Sequence, residues 1–213
     1  MALFGKDYDK VQVGGDFTAL PGGGYIMLIK KAQMTTNSNN LPMIEVMADI
    51  CEGDFKGYFG ELYRSRLLND PNAKYPYNGI LRITAVDENG NTKKNFKSFC
   101  TAVEKSNDMQ LPRHDEAFLK ALAGKYVGVL YQREEYEGDD GKNHWSTKPK
   151  WYRDVETIRS GRYTKPEDVP LPETYGTGFS DVSSAVTDMF GVEPTFSAQM
   201  DTFSAAEDDI PFK

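Results

Sequence analysis

Residues 95–105 read NFKSFCTAVEK, with Phe96, Phe99, Cys100 and Val103 at i, i+3, i+4 and i+7. That spacing puts four apolar side chains on one face of a helix. On either side of it the period changes. Residues 43–52, MIEVMADICE, set Ile44, Val46, Ala48 and Ile50 against Glu45, Met47 and Asp49, the alternation of a half-buried strand. Residues 25–34 (YIMLIKKAQM), after the turn residues Pro21-Gly22-Gly23-Gly24, read as the strand before it. Residues 56–64 (KGYFGELYR), beyond a short turn at 52–55, complete a hairpin with it. A long loop follows, and DENGN at 87–91 marks a further turn.

Downstream of the helix, residues 115–123 give a shorter one that Gly124 ends. Residues 125–137 (KYVGVLYQREEYE) form a strand rich in Val and Tyr, GDDGKN turns the chain, and residues 144–155 (HWSTKPKWYRDV) form the last strand. Pro149 lacks a ladder donor, so that strand is expected at an edge or to carry a bulge. The order β-β-β-α-β-β fits the five-stranded Greek-key barrel known as the OB-fold. The alternative is an α+β domain built on an antiparallel sheet. A chain of 213 residues can bury a real core.

Charge divides the chain. Residues 1–165 carry 24 Lys+Arg and 22 Asp+Glu, whereas residues 166–213 carry one Lys and ten acidic groups, a net −9. The acidic stretch is rich in Pro, Ser, Thr and Gly, too poor in apolar surface to offset its chain entropy. It is read as a largely disordered tail, 166–213, on a folded body, 1–165. Within it, Val182, Ala185, Val186, Met189 and Phe190 recur at helical spacing, suited either to folding on a partner or to packing on the body.

Several chemistries are hard to build. Two cysteines and two histidines, with no C-x-x-C or H-E-x-x-H, give no zinc site, disulfide framework or obvious triad. No run reaches the roughly 18 apolar residues of a membrane helix, and residues 1–10 lack the apolar core of a signal peptide. The expected compartment is a reducing cytoplasm. The glycines at 22–24 have no Lys-Ser/Thr after them and make no phosphate cradle. No cofactor is expected. Glu134, Glu135, Glu137, Asp139 and Asp140 bunch beside Lys142, which raises a metal-dependent nuclease as the alternative function, although a solvated turn explains the run better.

Binding an unpaired strand takes flat rings for bases and cations for phosphates. Trp145, Lys148, Lys150, Trp151, Tyr152 and Arg153 supply both within nine positions, and two tryptophans six residues apart share a strand face if no bulge intervenes. Lys56, Tyr58, Phe59, Tyr63, Arg64 and Arg66 form a second cluster. Lys30 and Lys31 lie on the first strand, and Lys93, Lys94 and Lys97 enter the helix. At the far end, Asp208, Asp209, Ile210, Pro211 and Phe212 set carboxylates before an apolar tip that suits a basic-rimmed hydrophobic pocket on a partner protein.

The run DDIPF resembles the acidic tip of bacterial single-stranded DNA-binding proteins, through which replication and repair enzymes are recruited. In that family phenylalanine is the last residue and its carboxylate meets a basic side chain; here Lys213 follows Phe212. The stretches GGGYIMLIKKAQ, ADICEGDFKGYF, KSFCTAVEKSN, LAGKYVGVLYQREEY and VETIRSGRY, across residues 17–163, are similar to bacteriophage single-stranded DNA-binding proteins found beside recombination genes. The resemblance implies a non-enzymatic protein in the host cytoplasm. It would bind single-stranded DNA without sequence preference during phage replication and recombination, and its tail would recruit phage or host enzymes. A homo-oligomer is expected, because one barrel covers few nucleotides, and no membrane is involved. A recombinase accessory factor that binds no DNA is a further alternative.

Overall fold

The computed structural model describes residues 18–172. Its elements run β1 (Gly23–Thr36), β2 (Pro42–Ile50), α1 (Tyr58–Asn69), a 3₁₀ turn (Tyr77–Gly79), β3 (Ile80–Thr84), α2 (Lys94–Ser106), α3 (Asp115–Leu122), β4 (Tyr126–Glu137), β5 (Asn143–Arg153) and α4 (Val155–Arg159). The strands form one antiparallel sheet in the order β3-β2-β1-β4-β5, with β3 and β5 at its edges and no ladder joining them. The domain is therefore mainly β, an open five-stranded antiparallel sheet with helices packed on it.

The long β1 serves both neighbours. Its first half pairs with β4 (Gly23 with Tyr131 through Leu28 with Tyr126), and its second half with β2 as far as Thr36 and Pro42. The two ladders overlap at Met27 and Leu28, and a bulge at Lys30 interrupts the pairing with β2. Ile44, Val46, Ala48 and Ile50 of β2 face the core as their alternation requires, together with Met27, Ile29, Leu81, Ile83, Val127, Val129 and Tyr131. The helices close that face with Phe59 of α1, Phe99, Cys100, Ala102 and Val103 of α2, and Phe118 and Leu122 of α3. Phe99 meets Tyr152 edge-on at 5.2 Å, a geometry worth about 0.5–1.5 kcal/mol beyond its burial. Both cysteines are free thiols, Cys100 buried and Cys51 half-buried.

A smaller cluster, Ile26, Leu130, Val155 and Ile158, lies on the opposite face, where α4 docks. Asp154 caps α4, its Oδ1 accepting from the Thr157 N–H at 2.9 Å. The helix sits so close that a Cβ on Gly128 would stand 2.5 Å from Ile158 Cγ1. Gly23 and Gly24 are part of β1 rather than of a turn, and a Cβ on Gly24 would strike the Tyr163 ring.

One strand expectation fails. Residues 56–64 are not a strand: they enter and form most of α1. Gly57 opens that helix at φ +80, and Asp49 of β2 accepts the otherwise orphaned N–H groups of Phe59 (3.1 Å) and Gly60 (3.2 Å). A cap supplied from another element leaves no local signal, and only Phe59 of this helix is buried, so no apolar stripe marks it either. The third strand is Ile80–Thr84, inside the stretch read as loop; Leu81 and Ile83 face the core and Arg82 faces away. The helix between the third and fourth strands stands, as do the other four strands.

The folded unit runs to Val169, past the boundary expected at residue 165. Val169 N–H donates to the Arg133 carbonyl at 2.9 Å and its carbonyl accepts from Glu135 N–H at 2.8 Å. The first residues of the acidic segment thus line the part of β4 that lies beyond β1. The helical spacing at residues 180–191 and the tip at residues 208–212 lie outside the described residues. Among the described residues no helix is long and apolar enough to cross a membrane.

Candidate nucleic-acid interface

Past Tyr131, which pairs with the first residue of β1, β4 continues with β5 as an arm, from Gln132 opposite Lys148 to Glu137 opposite Asn143. The arm turns through residues 138–142, with Gly141 at φ +67. Beyond β1 the arm is bordered on its β4 side by the bridge of Val169 with Glu134, and side chains on both of its faces reach solvent. On one, Trp145 stands opposite Glu135 and diagonal to Arg133, whose guanidinium carbon lies 4.7 Å from the centre of the indole. Trp145 remains 40% exposed, so its ring offers a flat surface with a cation already beside it. Arg133 Nη1 also bonds Asp168 Oδ2 at 3.0 Å.

The other face of the arm carries Lys148, 3.1 Å from Glu134, and Lys150, in hydrogen-bond contact with the same carboxylate. The Lys150 hydrogen bond, seconded by Lys148, holds the Glu134 carboxyl below the usual carboxylate range. Pro149 sits where expected on both counts: β5 is an edge strand, and the register slips between Leu130 opposite Trp151 and Tyr131 opposite Pro149, leaving Lys150 as the bulged residue. The slip has a consequence for the tryptophans. Trp145 pairs with Glu135 and Trp151 with Leu130, five residues apart on regular β4, so the two indoles face opposite sides of the sheet. They form two sites, not one stack.

The structure divides the other sequence candidates. Phe59 and Tyr152 are buried, at 2% and 4% exposure, and hold the core; neither ring has a face free for a base. Tyr58 and Tyr63 are half-buried against Phe55 and Phe59 and against Tyr75 respectively. Lys56 and Arg64 are exposed, Arg64 near Glu61 at 3.9 Å. Lys30, at the β1 bulge, and Lys31 are exposed on the other half of the sheet, and Lys93 and Lys94 at the start of α2. Trp151 and Arg153 are exposed near the end of β5. The candidates therefore do not converge on one surface.

Residues 6–170 match the family model described as "Protein of unknown function (DUF669)". The chain belongs to this family. No curated protein matches it.

Two features of this DUF669 chain escape a reading of its sequence. Arg133 lies in a run of glutamates, QREEYE, and becomes a partner for Trp145 only through the register of the hairpin. Tyr77, 66% exposed, lies under Arg82, whose guanidinium carbon is 4.0 Å from the ring centre; both belong to the stretch read as loop. The acidic bunch, by contrast, disperses: Glu134 is held by the two lysines, while Asp140 Oδ1 lies 2.9 Å from His144 Nε2 and also accepts from the Lys142 N–H. Among the described residues no three of His, Cys, Asp and Glu are grouped to hold a metal ion.

Proposed function

We propose that this protein binds single-stranded DNA without sequence preference, as a partly open OB-type barrel, and acts as a binding protein rather than an enzyme. The strand order β3-β2-β1-β4-β5 is what a five-stranded Greek-key barrel gives when opened between its third and fifth strands. The helices α2 and α3 lie between the third and fourth strands, in keeping with that plan. At the opening the 3₁₀ turn bridges the gap: Tyr131 Oη donates to the Asn78 carbonyl at 2.8 Å, and Asn78 Nδ2 reaches Ser146 Oγ at 3.4 Å.

The observation that carries the reading is the arm: an exposed indole flanked by a guanidinium, with two lysines on the same hairpin. Stacking on such a ring is indifferent to base identity, because every base has a π-face. The tail, with Asp208, Asp209, Ile210, Pro211 and Phe212, recruits replication or recombination enzymes, in line with the phage resemblance. Its −9 charge is repelled by the bound strand and is left facing other proteins.

Titrating tryptophan fluorescence with oligo(dT) at several salt concentrations tests this. Quenching is expected, with log K falling linearly against log salt at about −0.7 per phosphate neutralised. Labelled strands incubated with Mg²⁺ or Mn²⁺ are expected to be retarded and remain intact. No affinity at low salt overturns the reading, and metal-dependent cleavage lost on D139N/D140N replaces it with a nuclease.

A further inference from the structure

The side of the sheet that bears α4 carries its own line of rings and cations. Along β5, Trp151 pairs with Leu130, Lys148 with Gln132 and Ser146 with Glu134. Those are alternate residues of β4, so the three side chains share one face, with successive positions about 7 Å apart. Leu130 lies in the cluster under α4, which identifies the face. Lys150, the bulged residue, turns to the same side, because its ammonium meets the Glu134 carboxylate that also holds Lys148. Trp151 is 42% exposed here, whereas Trp145, opposite Glu135, points to the reverse face.

This face continues across the gap between β5 and β3. The Asn78 amide of the 3₁₀ turn donates to Ser146 Oγ at 3.4 Å, and Tyr77, the residue before it, is largely exposed. The Arg82 guanidinium carbon lies 4.0 Å from the centre of the Tyr77 ring. Arg82 pairs with Glu45, whose neighbours Ile44 and Val46 face the core, so Arg82 stands on the α4 side of the sheet as well. Glu45 is buried and accepts from Arg82 Nε at 2.9 Å, which fixes the guanidinium against one side of the ring. The other side of the ring is open to solvent.

A ring at each end with two ammonium groups between them matches the alternation of base and phosphate along an unpaired strand. Charge decides which way such a strand leaves Ser146. Tyr136 and His144 share this face near the tip of the arm, their rings 5.8 Å apart, but residues 137–142 set three carboxylates against one lysine and repel phosphate. Tyr77 has a guanidinium beside it instead. We propose that single-stranded DNA crosses the open edge of the sheet on the α4 side, with one base on Trp151, phosphates on Lys148 and Lys150 as they leave Glu134, and a further base on Tyr77. The proposal rests on the single-strand reading above and adds a path to it. The lysines of the arm serve the rings on their own face, and Trp145 is a separate contact on the reverse.

The test uses the full chain carrying W145F, so that Trp151 is the sole remaining tryptophan, alone and with Y77A, Y77F, Y136A or K148A/K150A added. Oligo(dT) is expected to quench Trp151. Y77A is expected to weaken binding about 5- to 150-fold, the cost of one stacked base. Y77F keeps the ring and should bind as its parent does, and Y136A should bind so too. K148A/K150A is expected to make the salt slope shallower by about 1.4, two phosphates' worth. Circular dichroism in urea checks that each variant is folded, and Y77L, which keeps apolar bulk without a π-face, takes the place of Y77A if that variant is not. Binding without quenching of Trp151, full affinity in Y77A, or an unchanged slope in K148A/K150A each overturns the path and leaves the proposed function standing on Trp145. A loss in Y136A but not in Y77A overturns it as well, sending the strand to the tip of the arm. Absence of any strand binding by the unmodified protein removes both readings.

Discussion

The half of the sheet made by β1, β2 and β3 and the arm made by β4 and β5 each carry a glutamate bonded across strands to a cation, and the two pairs do different work. Glu45 of β2 is 1% exposed; its Oε1 accepts from Arg82 Nε at 2.9 Å and its Oε2 from Gln33 Nε2 at 2.9 Å. Glu134 of β4 meets Lys148 and Lys150 with 22% of its side chain in water. In the first half, three strands run side by side and the polar groups on the outward face are enclosed by their neighbours. In the arm, β1 is replaced beside β4 by the single bridge at Val169, and water reaches the ion pair. A buried carboxylate cannot release its partner without leaving a desolvated charge, whereas a lysine on a wet carboxylate exchanges it for a phosphate at little cost. Of the two pairs, the lysines of the arm are therefore the more readily released.

Removing the buried acid breaks this contrast most severely. Glu45→Ala strands the Arg82 guanidinium, which is 28% exposed, and leaves Gln33 without its acceptor. A loss of about 2–4 kcal/mol is expected, between the values for exposed and for fully buried pairs. Urea unfolding followed by circular dichroism measures it, and a loss below about 1 kcal/mol would show that Glu45 is no more structural than Glu134.

These two halves were not equally legible in the sequence. The alternation of MIEVMADICE, the helical spacing of NFKSFCTAVEK and the Val-Tyr run of β4 each reflect a single local period, and each element stands where its pattern puts it. Helix α1 does not, because its N-terminus is capped by Asp49 from another strand and because it buries only one large side chain. β3 is five residues long, follows a loop rich in turn residues, and sets Ile80 directly beside Leu81, so its alternation does not stand out. The site was harder still. Composition picked out rings and cations, but Phe59 and Tyr152 serve the core, and a one-residue bulge separates the two tryptophans. That bulge follows Pro149, which the sequence did mark. A proline is compatible with an edge strand with or without a bulge, and only the bulge, settled by pairing with β4, turns the two indoles to opposite faces.

The arm is expected to give up binding without giving up stability. Trp145→Ala removes a ring that is 40% exposed and lies against Arg133, so the folding free energy should move by no more than about 0.5 kcal/mol. Strand affinity should fall by about 1–3 kcal/mol, the usual cost of one stacked base. Fluorescence of the remaining Trp151, or electrophoretic retardation with oligo(dT), reads the change. An equal loss of stability and affinity would mean that Trp145 belongs to the fold as Tyr152 does.

The smallest effect sharpens the comparison furthest, because it has opposite signs in folding and in binding. The Lys150 and Lys148 hydrogen bonds hold the Glu134 carboxyl below its ordinary range in the folded protein. Its stabilisation is therefore complete above the pKa of the unfolded chain and is lost as pH falls through the lowered folded value. Glu134→Gln removes this contribution, so the variant should be less stable than the unmodified protein at pH 7, by under about 1 kcal/mol for so wet a pair, and the two should converge in acid. Binding should move the other way. With the carboxylate gone, Lys148 and Lys150 meet the strand without first giving up a partner, so oligo(dT) affinity should rise slightly at pH 7 and low salt, and the gain should fade as screening increases. Urea melts and salt titrations of the same variant measure the two signs. If both fall together, the lysines on the arm hold the hairpin and do not meet DNA.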